Sequence, residues 1–543
     1  MFKKILIANR GEIAVRVIRA CEELGIKTVA IHSEVDSESL HVEMADESYV
    51  IGSPKSYLNQ EVILEVAKQS KVEAIHPGYG FLSENAEFAR SCKENGIVFI
   101  GPPPAAITSM GDKAVARETM IKAGVPVVPG SDGPLAKSRD ALKIATKIGY
   151  PVLVKAAAGG GGRGMRVAHG KDEILDAVRT AKSEALSCFG SSEVYIEKYL
   201  DDCRHIEFQI MADTHGNVVH LGERDCSVQR RNQKLIEEAP STVLTSEQRK
   251  KMGQVAVAAA KAVKYVGVGT VEFLVTKDGE FYFMEMNTRV QVEHPVTELI
   301  TGIDIVKEQI RVAAGEPLGF KQKEVIIRGH ALECRINAED PEANFMPAPG
   351  QVTYYRPPGG FGVRVDSGVY PGYHISPYYD SMVGKLVVWG SSREEAITRM
   401  QRSLKEFIIE GVPTTIPFHL LVLENEHFRK GDVYTNFIRK HVEEAEDEEK
   451  QENAVSLANI KSRLAKNKHT PTIAPVVTPE TIAVLGAAVT IYGSSQGQNL
   501  AITDIQTAGQ PASQASAQPR KDDFSPWRLL GVNELLMGRG IKR

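Results

Sequence analysis

Apolar residues fall along this chain in patterns that change character three times. Near the start, Ile5-Leu6-Ile7-Ala8 is an unbroken apolar run, which predicts a strand buried on both faces. Asn9-Arg10-Gly11 turns the chain. Ile13, Val17, Ile18, Cys21 and Leu24 then recur at helical spacing until Gly25 stops the helix. Thr28-Val29-Ala30-Ile31, Ala74-Ile75 and Val98-Phe99-Ile100 continue the alternation, which predicts a parallel α/β layer. From about Gly111 the pattern predicts strands paired through tight turns, with helices between them. Asp278-Gly279 separates the strand patterns of residues 270–275 and 281–285, a two-residue hairpin signal. From Arg328 to Asn436, short strands, Gly-Pro turns and two helical patterns predict a separate α+β region.

The last hundred residues differ again. Residues 442–449 form an acidic run, a solvated helix end or a linker. Ala474-Pro475 and residues 507–519 are rich in Pro, Ala, Gln, Ser and Thr, which predicts flexibility. Two apolar islands interrupt this texture. Thr478-Pro479 is an N-cap with Pro at the first helical position, and Gly493 can close that helix. Ser525-Pro526 repeats the device ahead of Trp527, Leu529 and Leu530.

Length and composition narrow the class. A chain of 543 residues is too long for one core, so three or four domains are expected. Lys plus Arg is 65 against 69 for Asp plus Glu, a net charge of -4, which excludes bulk attraction to nucleic acid or anionic membrane. Six cysteines without a CxxC pair argue against zinc and disulfide frameworks and fit a reducing, cytoplasmic setting. Those cysteines, Cys226 and Cys334 included, are expected as small buried residues. The N-terminal apolar run is too short for a signal peptide, and residues 482–492 are too short to span a bilayer.

Register arithmetic supplies the first candidate chemistry. With a two-residue loop at Asp278-Gly279, Lys277 pairs with Glu280 and Glu272 falls opposite Glu285. Facing carboxylates repel, and a divalent cation reverses that sign; oxygen ligands suit Mg²⁺. Beyond this point Glu285, Asn287, Arg289, Gln291 and Glu293 occupy every second position, with Met286, Thr288, Val290 and Val292 between them. A solvated antiparallel face has this alternation too. The facing acids favour a metal site at Glu285 and Asn287, an oxyanion site at Arg289 and Gln291, and Glu293 as a general base.

A second candidate lies upstream. Residues 150–155 form a strand pattern ending in Lys155, followed by Gly159-Gly160-Gly161-Gly162-Arg163-Gly164 and an extended Met165-Arg166-Val167-Ala168. Successive glycines let backbone N–H groups approach phosphate oxygens, but no GK[ST] follows, so this is not a P-loop. It is either an inert loop or a hairpin that closes over a polyphosphate; Lys155 and the carboxylate hairpin favour the second. Lys113 is a further phosphate candidate, or an exposed helix-start lysine. His205 and Glu207 share a strand face, and residues 229–234 are a dense run of donors suited to ribose and anion contacts, or to a basic surface turn.

These residues carry a family resemblance. Residues 4–14, 76–85, 159–165, 285–295, 329–339 and 378–382 resemble, in order, the motifs of biotin carboxylases of the ATP-grasp superfamily. The likeness covers residues 1 to about 445. It implies a mixed α/β and α+β fold: a parallel α/β domain (1–112), an ATP-grasp core with a mobile lid (113–327, lid about 130–203), a C-terminal α+β domain (328–445) and a flexible tail (446–543). It implies that MgATP activates bicarbonate to carboxyphosphate and that the carboxyl group passes to biotin. On that basis Glu272, Glu285 and Asn287 hold Mg²⁺ or Mn²⁺, and Lys113 and Lys155 contact phosphates under the flap of Gly160, Gly161, Gly162 and Met165. Backbone at Glu197, Lys198 and Leu200 meets adenine, and His205 and Gln229 lie near the ribose. Lys234, Arg289, Gln291 and the Val292 amide hold bicarbonate, Glu293 deprotonates it, and Arg335 stabilises the biotin enolate. Asn232 stands where many family members carry His; it still hydrogen-bonds a ribose hydroxyl but does not titrate.

The resemblance also implies partners. No Ala-Met-Lys-Met biotin attachment sequence is present, so a separate biotin carboxyl carrier protein and carboxyltransferase subunits are expected, with acetyl-CoA, propionyl-CoA or pyruvate as acceptor. Arg16, Arg19 and Glu23 match family residues at a homodimer contact, or form an exposed charged helix face. Residues 478–489 and the Trp527 segment are faintly similar to accessory subunits of biotin-dependent sodium-pump decarboxylases, which makes the tail either a docking segment or an unpartnered extension. Another ATP-grasp ligase would share the lysines and acids but not the setting of Arg335. An idle scaffold would have lost metal or base residues, and none is lost.

Overall fold

In a computed structural model, which describes residues 1–443 except 132, 136 and 158–163, the first hundred residues build the expected parallel layer. The strands β1 (Lys4–Ile7), β2 (Lys27–His32), β3 (Glu47–Val50), β4 (Ala74–His76) and β5 (Val98–Phe99) pair in parallel in the order β3-β2-β1-β4-β5. The apolar run of β1 has its cause here. Leu6 packs with Val29 and Ile31 on one side of the sheet, while Ile5 and Ile7 pack with Ala14, Val17 and Ile18 of the helix Gly11–Glu23 on the other. Each such side chain contributes about 1.5–3 kcal/mol on burial. The charged positions of that helix divide. Arg16 is buried and donates to Glu298 and Asp304 at 2.9 and 2.7 Å, whereas Arg19 and Glu23 remain exposed.

A small three-stranded sheet follows. β6 (Val152–Ala156) lies between β7 (Met165–Ala168) and β8 (Val194–Lys198), antiparallel to both, and carries the helices Asp140–Ile148 and Ile174–Phe189. Its own apolar cluster includes Val152, Val154, Val178 and Ile196. Gly160, Gly161 and Gly162 lie outside the described residues, as do the islands and runs after residue 443. Five of the six cysteines are buried as expected, but Cys188 is exposed, because it sits near the solvent-facing end of the helix Ile174–Phe189.

The largest sheet runs across the boundary expected near Arg328. β9 (Arg204–Ala212), β10 (Val218–Arg230), β11 (Gln233–Ala239), β12 (Gly267–Val275), β13 (Phe281–Asn287) and β14 (His330–Asn337) join the strands Met382–Gly390 and Val363–Ser367 in one eight-stranded sheet. The region after Arg328 therefore has no separate main sheet. β11 and β14 pair directly, with Ile236 opposite Cys334 and Glu237 opposite Glu333. That region also carries three α-helices rather than two, Arg393–Glu406, Ile416–Glu424 and Glu426–Lys430; the third is too short to leave a period in the sequence. Among the described residues no helix is long and apolar enough to cross a membrane.

One buried ion cluster ties this joint together. Glu238 at the end of β11 meets His330 Nε2 at 2.8 Å and accepts from Arg393 Nε at 2.6 Å. Burial alone would push the Glu238 carboxyl up, but His330 and Arg393 outweigh it and hold it down at about 2. A folded-state value below the ordinary one means stability that is present above pH 4.5 and lost as pH falls toward about 2. Glu238→Gln should lower unfolding free energy by about 3 kcal/mol at pH 7. In urea titrations the gap between variant and parent should narrow steadily from pH 4.5 downward. A gap independent of pH would contradict this account.

Candidate active site

The carboxylate hairpin reaches its expected register by a different route. Thr276 N–H donates to Glu280 O at 2.8 Å, and Gly279 N–H donates to Thr276 O. The loop is thus the three residues Lys277, Asp278 and Gly279, with Gly279 at φ +80°, where a residue without Cβ is unstrained. Phe273 then pairs with Phe283, one residue out of the expected register. A bulge at Met284 restores it, so Glu272 faces Glu285 and Thr270 faces Asn287. The bulge reconciles two demands. Phe281, Phe283 and Met286 all enter the apolar cluster beneath the sheet, while Glu285 faces the cleft.

The strand pattern expected through Glu293 ends instead at Asn287. Glu84 of the N-terminal layer takes over there. It accepts from Thr288 N–H at 2.9 Å and from Arg289 Nε at 2.8 Å, which bends the chain away from the ladder. A helix, His294–Thr301, then begins. The side chains still gather as their alternation suggested. Asn287 Nδ2 and Gln291 Nε2 both donate to Glu272 Oε1, at 2.8 and 2.7 Å. Arg289 turns toward Glu84 and Asn287 Oδ1.

The centre of the site is a buried set of charges on one sheet face. Lys234 Nζ donates to Glu207 at 2.5 Å, Glu293 at 2.7 Å and Glu272 at 3.0 Å. Arg335 donates to Glu237 at 2.6 Å and to the second oxygen of Glu293 at 2.9 Å. Burial would push the Glu293 carboxyl up, but Lys234 and Arg335 more than reverse this and hold it well below the usual range. Burial also opposes the Lys234 charge, yet its three carboxylates raise it well above an ordinary lysine. Burial pushes Glu237 up to about 7 even though Arg335 pulls the other way.

The metal candidates stand beside this set. Burial and the Glu272 charge both push the Glu285 carboxyl up, and its carboxylate has no hydrogen-bond partner among the described residues. Two opposed acids, one lacking a partner at the wall of a 220 Å³ cavity that it shares with Lys113, suit a divalent cation. Burial pushes the Lys113 ammonium down, against the pull of Glu285. His205 Nε2 lies 2.8 Å from Glu272, so it borders the metal candidates.

A second, wider cavity of about 860 Å³ is lined by Met165, Leu200, Gln229 and Asn232 among others. His205, expected near the same ribose as Gln229, does not line it. Lys155 pairs with Glu197 at 2.6 Å, and Lys198 donates to the carbonyls of Gly149 and Tyr150. Asn232 sits at φ +67° in the two-residue turn between β10 and β11, a conformation that Asn tolerates better than most residues.

Glu84, Glu237 and Arg224 were not anticipated from the sequence. For Arg224 there was a signal: Glu223-Arg224-Asp225 is a run of charges inside an apolar strand pattern, between Leu221 and Val228. Such a run cannot all face water if the strand is central.

Comparison with known proteins finds relatives along most of the chain. Three family models match the chain: "Biotin carboxylase, N-terminal domain" over residues 1–107, "Carbamoyl-phosphate synthase L chain, ATP binding domain" over 112–321, and "Biotin carboxylase C-terminal domain" over 333–440. The biotin carboxylase of a Nostoc species is 59% identical over 442 residues, 81% of this chain and 99% of that protein. A pyruvate carboxylase subunit from Methanothermobacter thermautotrophicus is 58% identical, over 81% of this chain and 90% of its own. Among solved structures, the biotin carboxylase domain dimer of Hydrogenobacter thermophilus 2-oxoglutarate carboxylase, with MgADP, ADP and bicarbonate, matches at a TM-score of 0.79. It is 54% identical and covers 81% of this chain and 98% of that one.

Proposed function

The chain belongs to the biotin carboxylase family, and on that premise we propose how its residues divide the work of ATP-dependent biotin carboxylation by bicarbonate through carboxyphosphate. The observation that carries the assignment is Glu293, buried between Lys234 and Arg335. Bicarbonate is a poor nucleophile until it loses its proton, so a positioned base is required. Glu293 is that base, and Lys234, Arg289, Gln291 and the Val292 amide hold the anion. The same cations that keep Glu293 ionised are drawn on by the incoming anion, and the carboxylate becomes more basic as they turn away. Lys113 and Lys155 steady the phosphates, and Gly160, Gly161, Gly162 and Met165 contribute to the same nucleotide binding.

Glu272, Glu285 and Asn287 would hold Mg²⁺, which neutralises charge on the transferring phosphoryl group. Glu197, Lys198 and Leu200 border the adenine, and Gln229 and Asn232 the ribose. His205 acts by orienting Glu272. Arg335, anchored on Glu237, faces the oxygen of the biotin ureido anion.

Biotin rides on a separate carrier, and carboxyltransferase subunits receive the carboxyl group. Relatives named for pyruvate and 2-oxoglutarate are similarly close to this chain, so acceptor choice lies with the carboxyltransferase. A homodimer through the helix Gly11–Glu23 and a cytoplasmic setting, suited to six free cysteines, complete the proposal.

The test is ADP release by the purified chain with MgATP and bicarbonate, with and without free biotin. Stimulation by biotin that depends on bicarbonate supports the assignment; turnover indifferent to both reopens the other ATP-grasp ligases. The Nostoc relative is matched over 99% of its length by 442 residues of this chain, and the family models end at residue 440. A chain ending at residue 445 should therefore keep free-biotin turnover within about twofold. A larger loss would make the tail part of the catalytic unit.

A further inference from the structure

Arg224 of β10 is given no part in the chemistry above, yet it is the largest fully buried side chain among the described residues. All five of its N–H groups are engaged. Nε donates to Glu207 at 2.6 Å, Nη1 to Gln209 and Thr297 at 2.7 and 3.0 Å, and Nη2 to Gln291 and Thr270 at 2.7 and 3.2 Å. Those partners come from β9, β12, the segment after β13 and the helix His294–Thr301.

We infer that Arg224 is a positioning residue of the bicarbonate site, holding the Gln291 carboxamide with its NH₂ group turned toward the anion and Glu272. The inference rests on the bicarbonate site assigned above. A carboxamide has one acceptor end and one donor end. The Arg224 guanidinium takes the acceptor end of Gln291, so the donor end points to Glu272 Oε1 at 2.7 Å. Without Arg224 the amide is free to rotate, and a reversed amide sets its oxygen against a carboxylate and against the substrate anion. Arg224 also occupies one oxygen of Glu207, leaving the other for Lys234. An unpartnered Glu207 would hold Lys234 more tightly and away from bicarbonate. Lysine cannot replace this arrangement, because an ammonium has three donors and no planar fork.

The test uses the full chain and steady-state ADP release, with bicarbonate and ATP varied separately. Arg224→Lys should raise the KM for bicarbonate about tenfold while the KM for ATP stays within about twofold. In a Gln291→Ala background it should add less than it does alone, since the route through Gln291 is already gone and only the one through Glu207 and Lys234 remains. Equal rises in both KM values, or additive effects, would overturn the inference. If Arg224→Lys does not fold, Thr297→Val removes one of its anchors without changing charge. A rise of about threefold in bicarbonate KM alone supports the inference, and an unchanged value in the folded variant overturns it. Gln291→Ala separates the two levels. No change in bicarbonate KM with that variant sinks the assigned anion site and the inference together. A rise there, with none in Arg224→Lys, sinks the inference only.

Discussion

In Glu293→Gln, bicarbonate-dependent ADP release falls by about 10²–10⁴ while MgATP affinity is unchanged. The substitution keeps shape and removes only the capacity to take a proton. It also withdraws a negative charge from between Lys234 and Arg335, which stand 2.7 and 2.9 Å from it. An incoming anion then meets two cations with less competition, so the KM for bicarbonate should hold or fall as kcat collapses. This pairing is diagnostic. A merely structural role would raise KM and lower kcat together. Initial rates across bicarbonate concentrations, with nucleotide binding followed by fluorescence titration, provide the check. Turnover retained within about tenfold would remove Glu293 as the base.

The second large effect is expected in Arg335→Ala. Biotin carboxylation should fall by about 10²–10³, since a fixed donor aimed at developing charge in a water-poor site is lost. Bicarbonate-dependent ATP cleavage without biotin should survive within several-fold, because that half of the chemistry needs Arg335 only through Glu293. Loss of the guanidinium leaves Glu237 and Glu293 with one cation fewer. Glu237, already pushed up to about 7 by burial, takes a proton, which limits the damage to folding. Arg335→Lys should recover little, as one ammonium cannot span both carboxylates. Equal losses of both activities would count against a role confined to biotin.

The sequence made some of this legible because the governing contacts are local. The β1 run and the helix after it follow from periodicity within twenty residues. The Glu272–Glu285 pair was legible despite two departures, since the added loop residue and the bulge at Met284 offset each other in the count. What escaped depends on distant chain. Glu84 ends the strand after Asn287 from some two hundred residues away, and only that contact explains the bend. The continuity of the large sheet rests on β11 meeting β14, which no local pattern announces. Arg224 escaped for the same reason, because its partners are dispersed from β9 to the helix His294–Thr301. Alternation told which residues are polar. It could not tell that loops and a helix cover that face, converting a wet surface into a set of buried charges.

The bulge at Met284 also sets where this hairpin can change length. On either side of it the strand obeys a two-residue period, so losing or gaining a residue at Tyr282 or Met286 would exchange the buried and cleft-facing sets. At Met284 alone, a deletion leaves Phe281 and Phe283 in the core and Glu285 in the cleft, while the strand loses its local twist. Natural length variation in this hairpin, and any attempt to graft it onto another scaffold, should therefore concentrate at that one position. A graft that lacks the extra residue would keep the acid on the correct side and aim it differently.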